Sequence, residues 1–287
     1  MSANNANITV PVDLANPGQF FACCGLLEMA DRLWPGAEGW FEGHTFKLCC
    51  AGNFATLAAA LRQIQVTNTM SFAQNARLEE LSRIPKAELK KEGLEDEKKE
   101  LESLRREAPI LLHTGIEMRL DWFRDDRSGG SRFKTWAGQQ SVLEISTEMG
   151  NGLTQVIGTE ASTLWANDRG TGLPFNFDSD LGGQGSALDV GFSFDPLAAS
   201  TTTRIETSCR PALEFLCFVG LQRFRPREAI GENRFQFVAW NSPLPSLLAA
   251  AVACLAVTAP GDRYEFRLLY RTKYLKSFLP AIKFQGE

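Results

Sequence analysis

Apolar residues Ile8, Val10 and Val12 alternate with Thr9 and Pro11, a two-residue period that predicts a short strand, with Pro11 pushing it toward a sheet edge. The period then changes. Ala22, Leu26, Met29, Ala30 and Leu33 recur at helical spacing, with Glu28, Asp31 and Arg32 on the wet side, and predict an amphipathic helix. Asn16 is placed as its N-cap, Pro17 at N1, and Gln19 at N3 to complete a capping-box variant; Pro35-Gly36 ends it. The centre of this helix, Ala22-Cys23-Cys24-Gly25, is built of small residues. It predicts a notch where another backbone or a ligand approaches closely, inside the fold or against a neighbouring subunit.

The same patterning predicts a second strand over Phe41–Cys50, antiparallel to the first, and an Asn53-capped helix to about Ile64. Residues 77–107 differ in kind, with ten acidic and nine basic side chains and a thin stripe of Leu94, Leu101 and Leu104. They predict an exposed helical insertion. Ile116, Met118, Leu120 and Trp122 alternate with charged residues as a half-buried strand. A helix is expected over about Gly138–Glu148, strands at Phe175/Phe177 and Phe192/Phe194, and a buried helix over Pro211–Leu221. A strand at Phe235/Phe237, a helix over Pro245–Val257 covered on most sides, and a strand over Arg263–Tyr274 complete the series. Strands and helices mix without a strict βαβ rhythm, so the expected class is α+β: a mixed or antiparallel sheet core packed with helices. Its expected extent is residues 1–72 and 108–287, with 77–107 as the insertion. One internal echo stands out: Pro17, Phe21, Cys23, Gly25 and Leu26 match Pro211, Phe215, Cys217, Gly220 and Leu221 after a one-residue shift.

Composition sets the bounds. The 287 residues, 44% hydrophobic and 22% charged, are enough for a sizeable core. The formal net charge of −4 implies that any nucleic-acid contact is local or shared with partners. Seven cysteines, including the adjacent pairs Cys23-Cys24 and Cys49-Cys50, read as reduced, packed thiols. The polar start MSANNAN and an apolar run, Leu247–Val257, too short for a bilayer give the expectation of a cytoplasmic protein without a membrane segment.

Catalytic chemistry is sparse. His44 with Cys23/Cys24 and Cys49/Cys50 lacks any C-x-x-C spacing for zinc, and His113 has no nucleophile elbow beside it. Neither a P-loop nor a dinucleotide fingerprint is present. Asp178, Asp180 and Asp189, with Asp121, Asp125 and Asp126, are the one set that could hold Mg²⁺ for phosphodiester cleavage, although Asp and Gly near strand ends are ordinary turn formers. No catalytic residue, metal or cofactor is therefore assigned.

Basic residues are more informative. Arg124, Arg127, Arg132 and Lys134 surround Ser128-Gly129-Gly130-Ser131 between a strand and a helix, where backbone N–H groups and cationic side chains suit phosphate. Arg223, Arg225 and Arg227 form a second patch. Arg271, Lys273 and Lys276, interleaved with Tyr270 and Tyr274, form a third suited to sugar-phosphate and base stacking. The alternative for each is a snorkelling surface charge or a plain surface loop. Nucleic-acid contact is assigned to Arg124, Arg127, Ser128, Arg132 and Lys134, with Arg223, Arg225, Arg227, Lys273 and Lys276 alongside.

The blocks PVDLANPGQFFACCGLLEMADRLWP, FKTWAGQQSVL, ALDVGFSFDPL and RPALEFLCFVGLQRFRP together resemble the CRISPR-associated Csb-three family of the type I-G (formerly I-U) effector. The resemblance implies a non-catalytic subunit of a Cascade-like ribonucleoprotein, a compact counterpart of its large subunit. Its implied partners are crRNA, target double-stranded DNA, the other Cascade subunits and a helicase–nuclease. Its implied tasks are PAM recognition, strand separation and helicase–nuclease recruitment, while guide pairing supplies sequence specificity. Many large subunits carry a C-terminal helical bundle, whereas the last elements expected of this sequence are one apolar helix and a strand. A backbone-type RNA-binding subunit with a ferredoxin-like core therefore stays open, as does the need for a separate small subunit. A metal-dependent nuclease using Asp178, Asp180 and Asp189 is the enzymatic alternative.

Overall fold

A computed structural model describes residues 5–124, 131–136, 141–171, 174–181, 207–229, 233–271 and 275–284. The first part runs β1 (Ile8–Pro11), α1 (Pro17–Leu33), β2 (Glu38–Glu42), β3 (Thr45–Cys49), α2 (Phe54–Arg62) and β4 (Gln65–Asn68). Next come α3 (Phe72–Arg83), α4 (Lys86–Glu92), α5 (Glu95–Glu107), β5 (Ile110–His113), β6 (Glu117–Leu120) and α6 (Val142–Val156). Then follow β7 (Arg169–Thr171), β8 (Thr207–Cys209), α7 (Pro211–Gly220), β9 (Arg227–Ala229), β10 (Arg234–Trp240) and β11 (Leu244–Pro245). The last elements are α8 (Ser246–Ala253), β12 (Gly261–Arg271), β13 (Leu275–Phe278) and β14 (Ile282–Lys283). The strands form sheets in the orders β1-β3-β2-β11, β13-β12-β10-β9 with β14 also on β12, and β4-β5-β6, plus a β7-β8 ribbon. Every pairing among the described residues is antiparallel, and the fold is α+β.

Two helices form the centre. α1 is buried from Pro17 through Ala30 and α7 over its whole length. They start together: Asn16, the N-cap of α1, and Arg210, the N-cap of α7, both reach Asp178. They then run side by side in the same direction. A Cβ on Gly25 would stand 2.0 Å from the Leu216 carbonyl oxygen, and one on Gly220 would stand 2.0 Å from that of Phe21. Glycine at both positions lets the two backbones touch. The small-residue notch of α1 is thus a packing surface inside the fold, and the echo between residues 17–26 and 211–221 marks the two helices that meet there.

This contact organises the layers. Phe20 and Phe21 of α1 point into the first two sheets, where their rings lie 5.0 Å from Phe41, 4.1 Å from Phe237 and 6.2 Å from Phe266. On the α7 side, Phe218 packs with Trp122, Trp136 and Phe175. α6 packs against α7 and against β4, and at Gly150 both Val66 and Phe215 come close to it. Full burial of each of these rings stabilises the fold by about 2 kcal/mol.

Several expectations are corrected. The wet side of α1 is confined to its end: Arg32 is exposed and Asp31 half-buried, whereas Glu28 is 1% exposed and held by Arg32, Arg223 and Ser246. Gln19 does not close a capping box: its Oε1 accepts from Asp13 N (2.8 Å), while Asn16 still accepts from Gln19 N (3.3 Å). Residues 41–50 contain a turn as well as a strand. β2 and β3 form a hairpin whose loop, Gly43-His44, uses the positive φ of Gly43 (57°), and β3 lies antiparallel to edge strand β1. α6 begins at Val142, capped by Ser141, and extends to Val156. Phe175 and Phe177 are buried in an irregular segment rather than a strand, with Asn176 at φ 69°. α8 is open on one side, leaving Leu247 69% and Leu248 51% exposed. Phe192 and Phe194 lie outside the described residues.

Residues 72–107 form α3, α4 and α5 around a small apolar cluster of Met70, Leu78 and Ala108, with Leu101 against it. Ser71 and Gln74 make a capping box that starts α3, and Gly93 ends α4 at φ 72°. The fork of Arg77 grips Glu97 with two 2.8 Å bonds, tying α3 to α5, while Arg105 ties α5 to Glu144 of α6.

Candidate nucleic-acid interface

The first basic loop is anchored by aromatics. Phe133 is buried with its ring 4.7 Å from Phe235 of β10, and Trp136 enters the cluster of Trp122, Phe123 and Phe175. Arg132 and Lys134 alternate with these anchors. Arg132 pairs with Glu228 of β9, and Lys134 lies half-buried with its Nζ 5.6 Å over the Trp136 ring. Burial lowers the Lys134 pKa, which Glu107 counters and Arg106 reinforces. Arg124 is exposed just after β6. The base of the loop is clamped by Gln222, whose Oε1 accepts from Asp121 N (2.9 Å) and Trp122 N (3.1 Å) while its Nε2 donates to Asp121 Oδ1 (3.0 Å). Arg127 and Ser128 lie outside the described residues.

The second patch divides. Phe224 and Pro226 are buried, so Arg223, Arg225 and Arg227 alternate outward from them. Arg223 nevertheless turns inward to Glu28 (Nε–Oε2 2.7 Å, Nη2–Oε1 3.0 Å), which also accepts from Arg32 Nε and Ser246 Oγ. It is a structural cation. Arg225 and Arg227 are exposed, and no side-chain partner engages either among the described residues. Because Arg132 holds Glu228, the first and second patches meet on one edge of the second sheet. Lys276 belongs to β13, on the opposite edge, in register with Tyr270; Lys273 lies outside the described residues.

Between those edges lies a surface that the sequence reading did not single out. Arg234 pairs with Arg267 across β10 and β12, Gln236 with Glu265, and Val238 with Arg263. Residues directly opposite share a face, so these side chains all stand on the face turned away from Phe235, Phe237 and Phe266. Glu265 bonds Arg234 (3.3 Å) and Gln236 (2.9 Å), Gln236 accepts from Arg263, and Arg263 stacks 5.0 Å over Phe284. The available signal was the alternation in RFQFVAW and DRYEFRLLYR, where polar residues take every second position between aromatics.

The acidic candidates are occupied by structure. Asp178 is 1% exposed. Its Oδ1 accepts from Asn16 Nδ2 (2.7 Å) and Asp180 N (3.1 Å), and its Oδ2 lies 3.4 Å from Arg210 Nε. Arg210 also binds Asp180 (3.2 Å). Asp178 therefore joins the two helix N-termini, where negative charge is favoured. Burial raises its pKa, against the opposing pull of Arg210. Beside it, Glu214 accepts from Phe177 N and Asp178 N (both 3.1 Å); burial, then Asp178, pushes its pKa up to about 8. Asp125, Asp126 and Asp189 lie outside the described residues. Burial likewise raises Cys23, Cys24 and Cys217, while His44 sits exposed in the β2–β3 loop. Among the described residues no group of three or more His, Cys, Asp or Glu side chains is arranged to hold a metal ion. No helix among them is long and apolar enough to cross a membrane.

No protein-family model, curated protein or solved structure matches this chain.

Proposed function

We propose that the chain is a non-catalytic, nucleic-acid-binding subunit of a type I CRISPR RNA-guided surveillance complex, contacting crRNA and target DNA beside other Cascade subunits. Within that reading it helps PAM recognition, strand separation and helicase–nuclease recruitment. The observation that carries the binding part is the junction of two basic patches. Phe133 on Phe235 and Arg132 on Glu228 fasten the 131–136 loop beside Arg225 and Arg227, so cations from distant sequence positions share one edge. The sequence blocks resembling the Csb-three family supply the assembly. Asp178 and Asp180, two of the three carboxylates of the nuclease alternative, are both paired with Arg210, which favours the binding reading over metal-dependent cleavage; the third, Asp189, lies outside the described residues.

The test is co-expression with candidate type I-G effector subunits and a guide, followed by purification on a tag carried by this chain. Short guide RNA and partner subunits are expected to co-purify, and the chain alone is expected to leave DNA and RNA intact with Mg²⁺ or Mn²⁺. Purification without RNA or partners overturns the assembly, and metal-dependent cleavage lost in Asp178→Asn overturns the non-catalytic part.

A further inference from the structure

We infer that the outer face of the β13-β12-β10-β9 sheet binds a single nucleic-acid strand, with Arg227, Arg263 and Arg267 on phosphates and Phe284 stacking a base. The inference rests on the nucleic-acid reading above and assigns a specific place and strand type to it.

The argument begins with charge. Among the described residues this face carries Arg227, Arg234, Arg263 and Arg267 against a single carboxylate, Glu265, in a chain whose net charge is −4. Cations are therefore concentrated here against the trend of the whole molecule, which points to an anionic partner. Arg267 and Arg227 are exposed and have no side-chain partner among the described residues. The Glu265–Gln236–Arg263 network holds the middle of the face in place, so little ordering is left for binding.

Apolar chemistry decides the strand type. β14 places Ile282 opposite Glu265, hence on the same face, and Ile282 is 76% exposed. Phe284, two residues on, is 45% exposed with Arg263 over its ring. A paired duplex hides its base faces and presents phosphate, whereas a single strand offers bases to stack on an aromatic ring. Four strands at about 4.8 Å spacing make a surface roughly 14 Å wide, room for about two or three nucleotides.

The experiment measures fluorescence anisotropy of the full chain with labelled oligouridine and oligothymidine of about 10 nucleotides and with a duplex of equal length, across a salt series. Wild type is expected to prefer single strands, and the two sugar types show whether RNA or DNA is favoured. The Arg227→Ala/Arg267→Ala variant is expected to bind more than tenfold more weakly and to lose about 1.4 from the log–log salt slope, about 0.7 per phosphate contact. Phe284→Ala is expected to weaken single-strand binding about tenfold and to leave duplex binding unchanged. Unchanged affinity in both variants, with binding lost instead in Arg132→Ala/Lys134→Ala, overturns this site and keeps the nucleic-acid reading. Wild type that binds no single strand at low salt also overturns this site, and guide RNA recovered with the complex then leaves the subunit reading standing. Failure of both experiments removes both proposals.

Discussion

Gly25 and Gly220 meet at the crossing of α1 and α7, each backbone nitrogen about 3 Å from the point where the other residue would carry a Cβ. The groups in the way are carbonyls fixed in helices, so a methyl group cannot be accommodated by a side-chain rotation. Gly25→Ala and Gly220→Ala are each expected to destabilise the fold by about 3 kcal/mol or more. Gly36→Ala is the control: nothing lies within 4 Å of its Cβ position, and only its left-handed φ of 94° opposes the change, at about 1 kcal/mol. Thermal and urea unfolding of the three variants give the comparison.

Arg223 and Arg225 are two positions apart and are expected to separate cleanly. Arg223→Ala leaves buried Glu28 with Arg32 and Ser246 alone, and is expected to lower stability by about 2 kcal/mol, a buried-pair value discounted because the Arg223 side chain is 27% exposed. Arg225→Ala is expected to leave the unfolding midpoint unchanged and, where it meets phosphate, to cut the salt slope of binding by about 0.7. Parallel urea melts and oligonucleotide titrations read both effects.

Glu214 gives the fold a pH dependence of definite sign. The unfolded carboxyl titrates near 4.5 and the folded one near 8, so the native state holds its proton over the interval between. The stability this group contributes is complete below about 4.5 and is lost as pH rises through 8. Asp178, also raised by burial, adds in the same direction. Urea midpoints are expected to fall from pH 5 to pH 9 in the wild type and to fall less steeply in Glu214→Gln. Equal slopes in the two proteins would show that Glu214 is not the titrating group.

Phe133 fixes the first basic loop through its ring on Phe235. Phe133→Ala is expected to cost about 3 kcal/mol and to weaken nucleic-acid binding along with stability. Phe133→Leu, which keeps much of the buried volume, is expected to restore stability first. Binding that recovers only with an aromatic ring would show that loop position, rather than loop folding, matters.

Local signals were the legible part of this fold. Asn16, Pro17 and Asn53 mark helix starts because caps act on neighbouring N–H groups, and Pro11 marks an edge because it has no donor. The strand alternations at Ile116–Trp122 and Phe235/Phe237 follow from one-sided burial. Partners far along the chain were not legible. Glu28 reads as a solvent-facing acid until Arg223 arrives beside it, and Phe175/Phe177 look like a strand until Glu214 takes the backbone N–H groups of Phe177 and Asp178. The candidate site follows the same division. Arg225 and Arg227 are legible as a basic run, whereas the face shared by Arg234, Arg263 and Arg267 exists only through the β10–β12 register.

The pairing of α1 with α7 also dictates when this protein can become itself. Glu28 and Arg223 are 195 residues apart, and a ribosome releases α1 long before its neighbour exists. Until α7 and the strands after it emerge, the carbonyl of Phe21 lacks Gly220 against it and the rings of Phe20 and Phe21 lack Phe237 and Phe266. Folding must therefore be late and cooperative rather than progressive from the N-terminus, and the nascent chain is most exposed to misassociation during that wait. Fragments ending before Gly220 are committed to the same incomplete state.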